Sequence, residues 1–315
     1  MNKPPACTVR FGSFYAGGRS LHITNEPIRS IAFTESASYQ YDPNGLFHIE
    51  QAYVQFFIPA QQRHPLPLVL LHGGGMSGTM WEQTPDGRNG WAQTFVEQGH
   101  AVYIVDNIER GRAGWAPFPG VWPDTPIIRS AEEAWTLFRL GEAVGFAERI
   151  PFAGQRFPVQ HMESFGAFSV PRWLSNNDTA VDTFCAALDR IGPCIVLAHS
   201  HGGEVAFRAA AQRPDIVRGM IAVEPSGFCH EKNVSELGLA ACLFVYGDYL
   251  DQTPLWRDLT SQAAAFKNTL RNAGINTHWC ELPEKGITGN SHMLMMDNNN
   301  DVIARDIARW IQDSI

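Results

Sequence analysis

Short apolar runs rich in β-branched and aromatic residues recur along the chain, at 53–58, 66–71, 101–105, 194–198, 220–223, 241–246 and 277–282. Each gives way to a loop of polar residues or glycine, and helix-like stretches lie between them. That alternation predicts an α/β fold with a mostly parallel sheet covered by helices. Residues 7–50 are less periodic. Turn signals at Gly17-Gly18 and Pro43-Asn44-Gly45 make them antiparallel strands feeding the sheet edge. Four helices follow from 3.6-residue spacing. Trp91, Ala92, Phe95 and Val96 form a face closed at Gly99, and Val181, Phe184, Leu188 and Ile191 another, capped by Asn177 or Asp178. Residues 204–213 form an alanine-rich helix ended by Pro214, and Ile303, Ile307, Trp310 and Ile311 give the last helix its buried stripe.

The connection from Asp106 to Pro193 is far longer than one helix and its loops require. It holds the aromatic and proline-rich stretch WAPFPGVWPDTP at 115–126, a helix predicted over 131–143, and the irregular piece RIPFAGQRFPVQHMESFGAFSVP. We read it as a cap over the carboxyl edge of the sheet, where open α/β sheets place their ligands. The expected division is therefore a core of residues 1–106 and 194–315, with 107–193 forming the cap and the helix that leads to the next strand.

IVLAHSHGGE at 195–204 is a β-branched strand, then a serine between two histidines, then a helix. A strand-to-helix turn that projects a nucleophile needs small residues two positions to either side, and Ala198 and Gly202 stand there. Ser200 is the candidate nucleophile, with the His201 N–H facing a developing oxyanion. LLHGGGMSG at 70–78 supplies consecutive glycines whose amides can approach a ligand. Gly73, Gly75 and Gly78 also fit G-x-G-x-x-G, but no helix is expected at Gly78, so a pyrophosphate would lack its helix dipole. His292, in the loop GNSHMLMMDNNN at 289–300, is the candidate base, in the order serine, acid, histidine. The acid is less direct. The frame G-x-x-D-x-x-x-P after the 241–246 strand has Leu250 in the acid slot, flanked by Asp248 and Asp251, whereas Glu224 ends the strand next to that of Ser200. Glu224 is favoured, Asp248 second and Asp251 third.

These motifs resemble the α/β-hydrolase superfamily over nearly the whole chain. Within it, HGGGMSG, WEQTPDGRNGW, VEPSG and GNSHMLMMD resemble a small group of atypical bacterial esterases whose triad glutamate follows the sixth strand. The resemblance implies a triad of Ser200, Glu224 and His292, with oxyanion donors at Gly74 and His201 and a third candidate at Gly75. It further implies a serine esterase or lactonase acting through an acyl-enzyme. The alternative is a lyase, isomerase or cyclase using His292 as a proton shuttle. Trp81, Trp115, Phe118 and Trp122 are candidate pocket walls, His72 an orienting group for the glycine loop, and the RGR at 110–112 a brace for the loop after its strand.

Composition narrows the partners. The chain has 24 Lys+Arg against 32 Asp+Glu, a formal charge of −8, and no basic run. Nucleic acid and anionic membrane surfaces are thus poor partners; a small ester or lactone is expected, and a homodimer is left open. The His199-x-His201 pair lacks further ligand spacing, so no metal and no cofactor is expected. The six cysteines show no C-x-x-C pair and read as core thiols. No apolar run spans a bilayer and no signal peptide is visible, which points to the cytoplasm, or to export if a leader has been removed.

Overall fold

The computed structural model describes residues 9–315. Ten strands run in chain order: β1 (Val9–Ile23), β2 (Arg29–Thr34), β3 (Ala37–Tyr41), β4 (Gly45–Pro59), β5 (Leu68–Leu71), β6 (Val102–Asp106), β7 (Cys194–His199), β8 (Val217–Val223), β9 (Ala241–Tyr246) and β10 (Asn276–Glu281). Eight form one sheet in the order β1-β4-β6-β5-β7-β8-β9-β10, and β2 and β3 make a separate hairpin. Pairing is antiparallel for β1 with β4 and β4 with β6, and parallel from β6 to β10. All four residues of β5 and all six of β7 are buried. Strands covered on both faces carry no polar alternation, which is why they read as continuous apolar runs.

Side-chain alternation splits the core into two layers. Leu68, Leu70, Ile195 and Leu197 face α1 (Trp91–Glu97) and α7 (Asn300–Ser314), while Val69, Leu71, Val196 and Ala198 face α4 (Asn177–Ile191), α5 (His201–Gln212) and α6 (Pro254–Asn272). Between β6 and α4 lie α2 (Ala131–Leu137), α3 (Met162–Gly166) and irregular chain.

Several local expectations need correction. Gly17 and Gly18 form no turn: they lie inside β1 at φ 68° and 88°, and the pairing with β4 keeps one register on both sides, Gly17 opposite Gln51 and Arg19 opposite Ile49. The N-cap of α4 is Asn176, one residue before the expected position, and Asn177 spends its side chain elsewhere. The 131–143 helix stops at Leu137, because Phe138 leaves the helical region and Arg139 turns left-handed at φ 59°. The longest helix, α6, is not apparent from periodicity. Its signals are Thr253, whose side chain accepts from Trp256 N–H, and Pro254 in the first turn. Five cysteines, at 185, 194, 229, 242 and 280, are free and buried; Cys7 lies outside the described residues.

Candidate active site

One residue separates β7 from α5, and Ser200 occupies it with φ 52° and ψ −124°, a conformation costly for any residue carrying Cβ. Backbone bonds hold the turn. Ser200 N–H donates to Val223 O at 3.0 Å, and Ser200 O accepts from Gly203 N at 2.9 Å and Ser226 N at 3.1 Å. A side chain at position 202 would put its Cβ 2.5 Å from His72 O, which explains the glycine. As the first residue of α5, His201 has an N–H with no intrahelical acceptor, at the positive end of the helix and next to Ser200.

The glycine loop lies against this turn. A Cβ at Gly73 would stand 3.2 Å from Ser200 Cβ and 2.7 Å from His199 Nδ1, and Gly75 takes a φ of 75°. His72 braces the loop: Nδ1 donates to Gly73 O at 2.9 Å and Nε2 accepts from Asn107 N at 3.2 Å. Burial and the Arg110 charge push the His72 pKa down to about 4, so the ring stays neutral. Gly78 opens only a single 3₁₀ turn, Gly78–Trp81, and its N–H donates to Asp106 Oδ1 at 2.5 Å. That aspartate, the ribose-binding position of a dinucleotide fold, is also taken up by the N–H and guanidinium of Arg112.

Glu224 follows β8 directly, in the left-handed region at φ 47°, with its N–H donating to Val245 O at 2.9 Å. Its fully buried carboxylate carries four donors. Oε2 accepts from His292 Nδ1 at 2.8 Å and Arg139 Nη1 at 2.8 Å, and Oε1 accepts from Arg139 Nη2 at 2.5 Å and Gly247 N at 2.7 Å. Burial alone would raise the Glu224 pKa, but the Arg139 charge and the His292 bond hold it at about 2. The carboxyl is therefore ionised at neutral pH. Asp248 is engaged differently, accepting from Tyr249 N at 2.8 Å and Gly289 N at 3.0 Å, and Asp251 is exposed.

His292 is fixed from every side. Its N–H donates to Phe138 O at 3.0 Å, its carbonyl accepts from His199 Nε2 at 3.0 Å, and its ring lies against Phe138, Trp256 and His199, with centroids 5.3, 4.2 and 4.4 Å away. Burial lowers the His292 pKa, Glu224 opposes the shift and Arg139 adds to it, leaving a neutral imidazole with Nδ1–H turned to the carboxylate. The loop has its own frame. Asp297 accepts from Ser291 N, Ser291 Oγ and Asn290 Nδ2, and Arg88 donates to the carbonyls of Asp297 and Met296. Arg88 in turn is held by Asp86 at 2.6 Å. WEQTPDGRNGW and GNSHMLMMD, distant in the chain, are thus two halves of one clamp.

The two histidines beside Ser200 diverge. His199 bonds to the His292 carbonyl, whereas His201 Nε2 donates to Asn177 Oδ1 at 3.0 Å, and burial with the cations Arg172 and Arg110 pushes its pKa down to about 3. No cluster of three His, Cys, Asp or Glu able to hold a metal occurs among the described residues.

The proposed aromatic walls are the main correction at this site. Trp81 is fully buried against Trp91 and His199, as core. Trp115 and Phe118 line a cavity of about 260 Å³ with residues 47–51, Phe118 packing on Phe47 at 4.5 Å, and none of Ser200, Glu224 and His292 borders it. Trp122 packs against the core layer that contains α4. The proline-rich stretch packs toward β4 through that aromatic contact; of the inserted residues, Phe138 touches His292 and Arg139 bonds to Glu224. Arg139 had no sequence signal beyond its place in the insertion; an arginine directly after an amphipathic helix is indistinguishable from a surface residue until its partner is known.

The α/β-hydrolase fold family model matches residues 67–280, more than half of the chain. The chain belongs to the α/β-hydrolase fold family. Among solved structures this α/β-hydrolase is similar to a bacterial esterase described as novel, at 29% identity and a TM-score of 0.84, covering 100% of this chain and 99% of that one. Among curated proteins it is 26% identical to a probable secreted lipase, phiG, of Fungal sp. (strain ATCC 74256), over 91% of this chain and 93% of that protein. No helix among the described residues of this α/β-hydrolase is long and apolar enough to cross a membrane.

Proposed function

We propose that the chain is a serine hydrolase that cleaves a carboxylic ester or lactone through an acyl-enzyme. The observation that carries this reading is the ionised, buried Glu224 carboxylate 2.8 Å from His292 Nδ1, in a protein whose strained β7–α5 turn presents a serine. With Nδ1–H committed to Glu224, the other ring nitrogen of His292 is the base. It takes the proton of Ser200 Oγ as the oxygen attacks the carbonyl, and Glu224 stabilises the imidazolium that forms. The His201 amide, with those of Gly74 and Gly75, receives the negative charge of the tetrahedral intermediate. Collapse of that intermediate breaks the ester bond, and the leaving alcohol takes the proton from His292. A water molecule then gives its proton to His292, attacks the acyl carbon and releases the acid, restoring Ser200. The esterase and lipase names of the two relatives agree with this chemistry.

A fluorophosphonate probe with peptide mapping, run beside turnover of a chromogenic short-chain ester, tests the proposal. Labelling at Ser200 together with acid release is expected. Ester cleavage that persists in Ser200→Ala at the parent rate would overturn it.

A further inference from the structure

Two neighbouring glycines of the loop beside Ser200 face two different things. A Cβ on Gly73 would meet Ser200 Cβ, and a Cβ on Gly74 would meet the guanidinium of Arg172, 2.6 Å from Nη1. One Cα step of about 3.8 Å separates the two glycines, so the guanidinium lies no more than roughly 13 Å from the serine. Arg172 arrives from the insertion on a segment tied to the loop, for Val170 N–H donates to Gly75 O at 2.9 Å and Arg172 exchanges backbone bonds with Ile127. Its half-buried side chain has no carboxylate within 4.0 Å among the described residues, and its Nε is buried without a hydrogen-bond partner. Glu204, the acidic group it feels, is bonded to Arg208.

A second cation stands behind it. Arg110, 4% exposed, donates to the carbonyl of Pro171 and likewise has no ion pair. Glu109 beside it offsets part of the charge, but burial and Arg172 still push the Arg110 pKa down to about 9. Burial and Arg129 lower the Arg172 pKa in turn, so these arginines beside the Ser200 loop lack a carboxylate partner among the described residues and form an incomplete ion pair. In a chain of net charge −8, this local excess of positive charge is a departure from the whole.

We propose that Arg172 binds a free carboxylate on the substrate, so that the preferred substrates are esters or lactones that also carry an acid group. This rests on the serine-hydrolase reading and narrows it. A guanidinium supplies paired N–H donors matched to a carboxylate, and the Arg110 charge behind it adds attraction at no further contact.

Two matched pairs of esters test it: para-nitrophenyl hemiglutarate against para-nitrophenyl valerate for a carboxylate on the acyl side, and para-carboxyphenyl butyrate against phenyl butyrate for one on the alcohol side. In at least one pair the parent should favour the charged member in kcat/KM by about tenfold or more. Arg172→Met should lower that ratio by a similar factor, chiefly through KM, and Arg172→Lys should retain most of it. Parent ratios at or below one in both pairs overturn the proposal, whatever Arg172→Met does. So does a loss in Arg172→Met that is equal for charged and neutral esters, which would make Arg172 a prop for the glycine loop. Turnover of neutral esters with Ser200 labelled leaves the hydrolase reading standing in either case. Failure of all four esters removes that reading and the carboxylate preference with it.

Discussion

Replacing Arg139 by Met is the most informative perturbation, because it acts on stability and on proton transfer through one bond pair. The guanidinium supplies two of the four donors to Glu224, at 2.8 and 2.5 Å, with both side chains wholly buried. Removing one partner of such a pair strands the other charge in the interior, at a cost of about 3–5 kcal/mol. Against a total of about 5–15 kcal/mol the protein stays folded but is visibly weakened, with Tm lower by roughly 6–15 °C. The kinetic consequence has a definite sign. Arg139 helps hold Glu224 ionised and disfavours the His292 imidazolium, so its loss raises both pKa values. Glu224 then becomes neutral, and His292 positively charged, at a higher pH than in the parent. Both changes move the acid limb of the kcat/KM profile to higher pH, and Arg139→Lys, which keeps the charge, should move it less. The assay is a pH–rate profile of a neutral ester, with thermal unfolding of the same preparations. A Tm drop with an unmoved acid limb would refute the reasoning and leave Arg139 as a tie between insertion and core.

The remaining predictions are shorter. Ser200→Ala should lower kcat by about 10⁴–10⁶ with the fold intact by circular dichroism, since the nucleophile and base act as a unit; near-parent turnover would remove the acyl-enzyme. Glu224→Gln should cost about 10²–10⁴ in kcat because an amide cannot stabilise imidazolium, whereas Asp248→Asn, whose carboxylate serves only backbone amides, should change kcat by less than about tenfold; equal losses would contradict the assignment. Asp297 is pushed up to about 7 by burial, from an ordinary 3.8, so between those values the folded state binds the extra proton and stability falls as pH rises. Asp297→Asn mimics the neutral acid and should flatten that slope in urea midpoints measured from pH 4 to 7; an unchanged slope would show that another group carries it.

What the chain revealed before folding, and what it hid, divide along physical lines. The parallel strands were legible because burial on both faces demands unbroken apolar runs, and those signals are local. Ser200, Glu224 and His292 were legible as candidates because each ends or follows a strand, and the geometry brings the last two together. The support of the site was not legible. Arg139, Arg88 and His199 act through partners 85, 208 and 93 residues away, and no spacing rule connects such positions. The aromatic stretch at 115–126 misled for a related reason: composition says that such a segment should bury its rings, whereas the structure leaves Trp115 61% exposed and packs a half-buried Phe118 on Phe47 of β4, not beside Ser200.

The position of Glu224 and the course of the insertion are coupled. A carboxylate after β8 lies in the interior, with 0% of Glu224 exposed, so it cannot rely on solvent for its charge. His292 and the Gly247 amide leave part of each oxygen's capacity unfilled, and a desolvated carboxylate with one neutral histidine would protonate. Arg139 fills the remainder. To deliver it, the chain ends α2 early, turns Arg139 left-handed, and places the freed Phe138 carbonyl on the His292 N–H. Adjacent residues thus fix Glu224 and His292 at once. A segment committed in this way cannot swing aside without stranding the Glu224 charge, so Phe138 and Arg139 are fixed parts of the site. Arg172, tied to the glycine loop through Val170, is similarly anchored. The stretch that follows Arg139 is tied down as well: Arg156 N–H donates to Gly289 O at 2.7 Å, Arg156 O accepts from Asn298 N at 2.8 Å, and the Tyr249 hydroxyl donates to Ala153 O at 2.8 Å.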